Sequence, residues 1–545
     1  MKKIIILPLI VLLALASCSS EIKNTPQEVQ KIDPVIMEET KKISSDNTIN
    51  ELPASAIIPT FTEISVDFEH QYNKKNAHPF LWGAMIDIDS DGIQEVFVWW
   101  GYNQSDALFK FQGNTFVNIT EKSGFWRNAQ TTYGALSIDV DQDNDVDLLV
   151  AKSNGVYLYT NENTLFSEKK LSIKFPKDTV PFSLSPTDWN QDGFVDLYIS
   201  TFIDSKKFKS ATFNDPNHSK MDIALENNGD NTFTNVSEKL GLGLKQNNFI
   251  SSFVDLNNDQ KQDLVISPNT HRVRILENIN NEKFEDIGKL SEYAFWMGLA
   301  IWDIDNDGDP DIFFSNIGKT IRPVSIARGD LRDDQILTPE WLLLRNDGDF
   351  QFTNATEELW LTGYEFAWWA VFEDFNLDGR QDLMVSENYI KWPTHKLKKD
   401  SGRFFIQNEN GTFDNFEKKA WVVNKNYGQS PLVSDFNNDG YPDIVLLNMD
   451  GPLKAFLNDG WDYSYLTVSL PENANSLWAK VIVEKLDGSK LTKQFFSSQW
   501  FMTDNTPDLY FGLGNAKKIK SLTIKWPSGQ TEIITDVNIN SRVSF

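Results

Sequence analysis

The stretch 303-DIDNDGDPD-311 places an aspartate at every second position of a nine-residue segment. Carboxylates only a few ångströms apart repel each other, so this crowding requires an explanation. Two explanations are open at this point: an acidic loop that faces solvent, or a loop that surrounds a bound cation. The rest of the chain distinguishes between them.

The same pattern occurs seven times, and we number the copies loops one to seven: 87–95, 139–147, 188–196, 255–263, 303–311, 374–382 and 435–443. Positions 1 and 5 are always Asp, position 9 is Asp or Glu, and position 3 is Asp or Asn. Because Asn keeps the carbonyl oxygen without the charge, position 3 requires an oxygen donor rather than a negative charge. Oxygen donors at this spacing around a sharp turn are typical of calcium loops. We predict up to seven Ca²⁺ sites with these ligands: Asp87, Asp89, Asp91, Glu95; Asp139, Asp141, Asp143, Asp147; Asp188, Asn190, Asp192, Asp196; Asp255, Asn257, Asp259, Asp263; Asp303, Asp305, Asp307, Asp311; Asp374, Asn376, Asp378, Asp382; Asp435, Asn437, Asp439, Asp443.

The loops are not EF-hands, which need a bidentate Glu at position 12 and a helix on each side. Position 12 is apolar in every copy and lies in a short apolar run, such as 264-LVIS-267. Similar runs, such as 249-FISSFV-254, precede the loops. Runs of this kind, rich in β-branched and aromatic residues, predict strands, so each loop should join the two strands of a hairpin.

The loops start 48 to 71 residues apart, which indicates a repeat architecture. A second segment recurs with the same period, for example 228-NGDNTFTNVS-237 and 346-NDGDFQFTNAT-356. Asn-Gly and Asp-Gly beside an aromatic strand are hairpin signals, so each unit should contain about four strands. Four strands per repeat is one blade of a β-propeller. We therefore predict an all-β fold with a seven-bladed β-propeller.

Loops of this form alternating with Asn-x-Gly-x-Phe segments resemble FG-GAP or VCBS repeats, the blades of the integrin α-chain propeller. The C-terminal residues resemble the ASPIC/UnbV domain, which follows such propellers in the cartilage acidic protein family. The residues that carry this resemblance are Ser498-Gln499, Phe511-Gly512-Leu513-Gly514 and Trp526-Pro527-Ser528-Gly529. The family has small residues where this chain has Ser476-Leu477-Trp478. The resemblance implies a small all-β domain after the propeller.

The N-terminal stretch 1-MKKIIILPLIVLLALASC-18 has two lysines, a short apolar run and small residues before Cys18. This layout is typical of a signal peptide, and its end resembles a bacterial lipobox. We predict that Cys18 carries the lipid that anchors the protein to a membrane, the alternative being an ordinary signal peptide with an incidental Cys. Ser19-Ser20 lacks the Asp that retains lipoproteins in the inner membrane, which favours the outer membrane, with the protein periplasmic or surface-exposed.

The predicted divisions are the signal peptide (1–17), a disordered tether (18–58), the propeller (59–460) and the ASPIC/UnbV domain (461–545). The tether prediction rests on a polar composition without aromatic residues. The segment 61-FTEIS-65 matches the last strand of the blades but precedes the first loop. We predict that it pairs within the blade of loop seven, closing the ring and burying Phe61 and Ile64.

The net charge of −26 excludes nucleic acid as a partner, because phosphate binding depends on Lys and Arg. The five histidines are scattered without metal-ligand spacing, and we predict no catalytic residues. Insertions at about 203–224, 317–340 and 389–402 are locally basic and suit an anionic glycan or an envelope or extracellular protein, unless their charges are simply solvated. The Trp-Trp pairs at 99–100 and 368–369 should lie in the hydrophobic core.

The expected function is non-enzymatic binding or adhesion at the cell envelope. The alternative is an enzyme, or an accessory subunit, that acts on polysaccharide at the cell surface.

Overall fold

The computed structural model of the chain describes residues 57–71, 81–99, 105–125, 130–208, 211–318, 330–387, 401–496 and 505–545. The regular elements in these ranges are β-strands, as predicted, and none of the described residues forms an α-helix. The signal peptide, Cys18, nearly all of the tether and Ser498-Gln499 lie outside the described residues. Within the described ranges there is no helix long and apolar enough to cross a membrane.

The strands up to the fourth repeat are β1 (Phe61–Glu69), β2 (Gly83–Ile86), β3 (Glu95–Val98), β4 (Ala107–Gln112), β5 (Thr115–Asn118), β6 (Thr132–Ile138), β7 (Asp147–Lys152), β8 (Gly155–Glu162), β9 (Leu165–Lys170), β10 (Thr179–Thr187), β11 (Asp196–Ile203), β12 (Lys220–Met221), β13 (Ile223–Asn227), β14 (Phe233–Asn235), β15 (Lys245–Gln246), β16 (Asn248–Val254), β17 (Asp263–Pro268), β18 (Arg274–Ile279) and β19 (Lys283–Asp286). The remaining strands are β20 (Leu299–Trp302), β21 (Asp311–Phe314), β22 (Leu342–Asn346), β23 (Phe352–Asn354), β24 (Ala367–Glu373), β25 (Asp382–Glu387), β26 (Arg403–Gln407), β27 (Phe413–Asn415), β28 (Gly428–Ser434), β29 (Asp443–Asn448), β30 (Pro452–Asn458), β31 (Ser464–Ser469), β32 (Lys480–Lys485), β33 (Lys490–Gln494), β34 (Leu509–Gly514), β35 (Ile519–Lys525), β36 (Thr531–Ile534) and β37 (Arg542–Ser544).

Strand pairing in the described residues gives four-stranded antiparallel units in the orders β2-β3-β4-β5, β6-β7-β8-β9, β10-β11-β13-β14, β16-β17-β18-β19, β20-β21-β22-β23, β24-β25-β26-β27 and β28-β29-β30-β1. In every unit a predicted loop joins the first two strands, and its position 9 begins the second strand. The hairpin prediction is therefore confirmed. Neighbouring first strands contact each other around a ring, β2 with β6 and β28 among them.

The two ends of the propeller sequence meet in one unit. β1 pairs antiparallel with β30, so that Phe61 lies opposite Asn458 and Ile64 opposite Ala455. This confirms the predicted closure, in which β1 covers the edge that β30 would otherwise leave unpaired. Phe61 is 1% exposed, as predicted, whereas Ile64 is only half-buried because it lies on the outer strand of the unit.

Aromatic side chains fill the interior of the ring where the first strands converge. Trp82 packs against Phe182 and Trp369, with ring centroids 6.3 and 6.1 Å apart. Phe182 in turn packs against Phe249 at 5.5 Å. The members of the two Trp-Trp pairs that the structure describes are all buried, as predicted: Trp99, Trp368 and Trp369.

The C-terminal region forms two further sheets with the orders β34-β31-β37 and β33-β32-β35-β36. We call residues 461–545 the tail domain. Its apolar residues, Leu477 and Phe511 among them, belong to the same buried cluster as the propeller core. The tail domain is all-β, as the family resemblance implied, and it packs directly on the ring.

Candidate metal centres

In each loop, two residues with a left-handed backbone conformation set the positions of the carboxylates. Position 6 has a positive φ in all seven copies, between 68° and 100°, which explains its preference for Gly. Position 4 also has a positive φ in every copy, although it is never Gly; in loop six it is Leu377, with a φ of 55°. The sequence pattern does not reveal this second strained position, because Asn, Gln and Ser at position 4 give only a weak turn signal.

Backbone N–H groups orient the carboxylates within each loop. In loop five, Asp303 Oδ1 accepts from Asp307 N at 3.1 Å and Oδ2 accepts from Gly308 N at 3.0 Å. Asp307 Oδ1 accepts from Asp309 N at 2.9 Å. Loops one, three, four, six and seven repeat all three hydrogen bonds. These hydrogen bonds from backbone N–H groups hold the loop in shape. They leave other lone pairs of the carboxylate oxygens available to bind a cation.

A residue outside the loop holds the carboxylate at position 9. Asp311 Oδ2 accepts from Ile304 N at 2.9 Å, and its Oδ1 accepts from Asn346 N at 2.8 Å. Asn346 also donates through Nδ2 to Leu256 O of the preceding unit at 2.9 Å. The amide residues that make the same backbone bond to position 9 in loops two to seven are Asn161, Asn227, Asn278, Asn346, Gln407 and Asn458. The recurring Asn at or beside the start of the second repeated segment was the sequence signal for these residues.

The structure brings the predicted oxygen donors together. In three loops, one oxygen from each of positions 1, 3 and 9 lies within 4.8 Å of the others: Asp87, Asp89, Glu95; Asp139, Asp141, Asp147; Asp303, Asp305, Asp311. The other four loops have the same backbone with Asn at position 3. Carboxylate and amide oxygens in this arrangement could hold a hard divalent cation.

Burial makes the carboxylates at position 9 costly without a cation. It raises the pKa of Asp147 to about 7 and the pKa values of Asp196 and Asp263 to about 8. Asp196 Oδ2 is fully buried and has no hydrogen-bond partner among the described residues. An unpaired buried carboxylate oxygen is expensive, and a cation at the loop centre would remove that cost. The residues of loops two to seven therefore fit a bound divalent ion.

Loop one differs because the side chain of Lys110 reaches into it. Lys110 Nζ lies 2.9 Å from Asp89 Oδ2 and 2.8 Å from both Asp91 Oδ2 and Glu95 Oε1. Burial lowers the pKa of Lys110, but hydrogen bonds to these three carboxylates outweigh that effect and hold the pKa above its usual value. Sequence analysis grouped loop one with the others because Lys110 lies on β4, outside the repeated pattern.

The tail domain covers the face of the ring that carries the loops, and glycines allow the close approach. A Cβ at Gly512 would lie 2.0 Å from Asp374 Oδ2 of loop six. A Cβ at Gly440 of loop seven would lie 2.0 Å from the ring of Tyr465 in the tail. Gly512 belongs to the Phe-Gly-Leu-Gly segment of the family resemblance, so its contact with a loop gives that segment a physical role.

Lysines of the tail domain donate to carbonyl and carboxylate oxygens in and beside the loops. Lys480 Nζ donates to Asn258 Oδ1 at 2.5 Å and to Gly308 O at 2.6 Å, which joins loops four and five. Lys493 Nζ lies 2.7 Å from Glu373 Oε1, the residue before loop six, and both side chains are buried. The position of the tail explains why its cations and the acidic loops occur in one chain.

Trp478 anchors the part of the tail domain where the sequence departs from the family pattern. Its indole Nε1 donates to Phe253 O, at the end of β16, over 2.5 Å, and its ring lies edge-on to Phe253. Its φ of 70° is a strained conformation for a bulky residue. The large side chain therefore fills a pocket on the ring that a small residue would leave open.

The described part of the insertion of the third unit lies at the end of β11 opposite to loop three. The insertion of the third unit follows β11, whereas loop three precedes it. Within the described residues, Asn214 from this insertion accepts from Arg332 Nη1 of the fifth unit at 2.7 Å. Lys206 and Lys207 are exposed. Seven further basic residues, which make the insertions locally basic in sequence, lie outside the described residues: Lys209, Arg322, Arg328, Lys391, Lys396, Lys398 and Lys399.

Comparison with known families agrees with this architecture. A family model described as FG-GAP-like repeat matches residues 139–199 and 255–314, and one described as ASPIC and UnbV matches residues 470–545. The chain carries FG-GAP-like repeats and an ASPIC and UnbV domain. The FG-GAP-like matches contain loops two, three, four and five, and the ASPIC and UnbV match contains Gly512, Lys480 and Lys493.

Cartilage acidic protein 1 of Xenopus tropicalis is 22% identical over 528 residues, which cover 89% of this chain and 76% of that protein. Among solved structures, rhamnogalacturonan lyase YesW is 12% identical with a TM-score of 0.37, covering 74% of this chain and 76% of that one. A Bacillus licheniformis rhamnogalacturonan lyase is 10% identical with a TM-score of 0.36, covering 73% and 75%. Similarity this low supports no inference about activity.

Proposed function

We propose that the protein is a calcium-loaded, seven-bladed propeller that acts as a non-enzymatic binding module at the cell envelope. The observation that carries the proposal is the repeated oxygen cage: in each of loops three to seven, backbone amides orient the carboxylates at positions 1 and 9 in the same way. Calcium is the ion whose size and ligand preference suit carboxylate and amide oxygens on a flexible turn. Because the ASPIC and UnbV domain covers these loops, the role of the ions in this proposal is to stabilise the scaffold.

Calcium removal tests the first part of this proposal. A cation that binds only the folded loops stabilises the folded state by mass action, so chelation should lower the melting temperature of the full chain. Asp307→Ala should lower it in calcium by removing a ligand from loop five, with Asp333→Ala, exposed and outside the loops, as the control. An unchanged melting temperature in chelator would show that the loops do not hold calcium.

Two surfaces support ligand binding. A cavity of about 440 Å³ lies between loop three and the ASPIC and UnbV domain and is lined by Gln191, Asn475 and Trp526. Side-chain amides beside an aromatic ring suit the hydroxyls and C–H faces of a sugar. The insertion of the third unit, at the end of β11 opposite to loop three, offers the exposed cations Lys206 and Lys207. We propose a glycan, or an envelope or extracellular protein, as the ligand.

A glycan-binding screen run beside a turnover assay on the same glycans tests this proposal. We expect binding without product release; products released by the purified protein would favour the polysaccharide-acting alternative. Gln191→Ala with Asn475→Ala examines the cavity, and Lys206→Ala with Lys207→Ala examines the insertion. If a glycan binds and neither pair weakens the binding, both proposed surfaces are wrong.

The envelope location is proposed from the sequence of the first eighteen residues. A lipid on Cys18 would bury its acyl chains in the bilayer, with each methylene contributing about 0.8 kcal/mol. We expect the full chain to sediment with membranes and Cys18→Ala to become soluble in the same cells. Equal membrane association of the two forms would contradict a lipid anchor at Cys18.

A further inference from the structure

Loop one contains the predicted carboxylates but has a different set of neighbours. The strand register that places Lys110 beside loop one places these residues beside loops two to seven: Thr160, Glu226, Glu277, Arg345, Ile406 and Leu457. Arg345 is the only other cation in this set, and it is engaged outside loop five, by Asp347 at 3.0 Å and Glu358 at 3.4 Å. In loops four and six, Lys261 and Arg380 each pair with the single carboxylate at position 5. Among the described residues, three carboxylates of one loop share a lysine only in loop one.

Two further departures occur at the same loop. Position 9 is Glu95 where every other copy has Asp, and Phe111 occupies the place of the Asn or Gln that bonds position 9 elsewhere. Glu95 Oε2 still accepts from Ile88 N at 2.9 Å, but its Oε1 accepts from Lys110. An ammonium has three N–H donors, and Lys110 directs them to the carboxylates at positions 3, 5 and 9.

We propose that Lys110 replaces the metal ion in loop one, so that the chain holds at most six calcium ions. The proposal rests on the calcium loading proposed for the other loops. A divalent ion in loop one would have to displace an ammonium that already donates to three of the carboxylates it needs. The unit of loop one adjoins the closure of the ring, since Val66 of β1 contacts Phe116 of β5. Loop one therefore keeps a counter-charge even when calcium is withdrawn.

Counting bound ions by native mass spectrometry of the full chain, in calcium, tests the proposal with two matched double variants. Asp89→Asn with Asp91→Asn neutralises positions 3 and 5 of loop one, and Asp141→Asn with Asp143→Asn does so in loop two. We expect the loop-two pair to bind one ion fewer than the wild type and the loop-one pair to bind the same number. Loss of an ion from the loop-one pair, or seven ions in the wild type, would overturn the proposal.

Lys110→Met provides an independent readout. It leaves three carboxylates without a counter-charge, so we expect a lower melting temperature in chelator, recovery in calcium, and one additional bound ion. Lys454→Met, which removes a half-exposed lysine that pairs with Glu63 at the rim, should change neither ion count nor calcium response. A Lys110→Met defect that calcium does not relieve, with an unchanged ion count, would overturn the proposal.

Failure of the proposed function has a different signature. If the wild-type chain binds no calcium at all, the calcium loading of loops two to seven is wrong. In that case the melting temperatures in chelator still decide the role of Lys110. If Lys110→Met melts at a lower temperature than Lys454→Met, the ammonium of Lys110 is supported as the counter-charge of loop one. Equal melting temperatures would overturn this role.

Discussion

At the residue scale, Gly512 couples the ASPIC and UnbV domain to loop six. The backbone approaches so closely that a Cβ would lie 2.0 Å from Asp374 Oδ2 and 2.5 Å from Leu377 Cα. Neither neighbour is the end of a flexible side chain free to move, because Asp374 is fully buried and Leu377 contributes backbone. Position 512 therefore requires glycine for steric reasons, independent of φ.

We predict that Gly512→Ala destabilises the protein by about 1–3 kcal/mol, the usual cost of overpacking a well-packed interface. Gly243→Ala is the matched control, since its Cβ would meet nothing closer than 3.7 Å. Denaturant unfolding in calcium measures both variants. Equal stability of the two variants would show that the domain does not dock on loop six in this way.

At the scale of single elements, β1 closes the ring through one buried aromatic side chain. Phe61 packs edge-on against Phe375 at 6.1 Å and Phe404 at 5.6 Å, both in the neighbouring unit. The other side chains of the first half of β1 are exposed or half-buried. The strand therefore contributes backbone hydrogen bonds to β30 and one large apolar contact.

Phe61→Ala should destabilise the protein by about 3–5 kcal/mol, because it leaves a cavity between two units. The effect of Ile64→Ala should be clearly smaller, since Ile64 is half-buried. Likewise, a chain that begins at Phe68 should melt well below one that begins at Pro59. Chains with the same melting temperature would mean that β1 is dispensable for closure.

An element could be predicted from the sequence more readily when the residues that fix it lie close together in the chain. The ligand positions of loop five, for example, were identified because Asp303 and Asp311 are fixed by a local turn. Lys110 was missed because it meets Glu95 only through the register of β3 and β4, 15 residues later. The contact between Lys493 and Glu373 spans 120 residues, and no local pattern indicates it. Closure by β1 was predictable because 61-FTEIS-65 repeats the last-strand pattern that the unit of loop one already contains at 116–120 and the unit of loop seven otherwise lacks.

At the scale of the whole molecule, buried carboxylates make stability depend jointly on pH and calcium. Without the ion, burial raises the pKa of Asp147 to about 7 and those of Asp196 and Asp263 to about 8, from 3.8. The folded state then binds protons more tightly than the unfolded state does. This contribution to stability is fully present below pH 3.8 and is lost as the pH rises towards 8.

In chelator, the melting temperature should therefore fall between about pH 5 and pH 8. In saturating calcium the ion replaces the protons, and the fall should disappear or reverse. The difference between the melting-temperature curves in chelator and in calcium reports on the loops, because ionisable groups elsewhere titrate equally under both conditions. Parallel curves would mean that calcium does not bind to these carboxylates.

The central claim is that loops two to seven hold calcium beneath the ASPIC and UnbV domain while Lys110 fills loop one. The most direct measurement is a crystal structure of the protein grown in calcium, with anomalous difference maps. We expect a peak in each of loops two to seven, about 2.3–2.6 Å from the oxygens of positions 1, 3, 5 and 9, and none in loop one. Loops two to seven without peaks, or a peak in loop one with Lys110 displaced, would contradict the account.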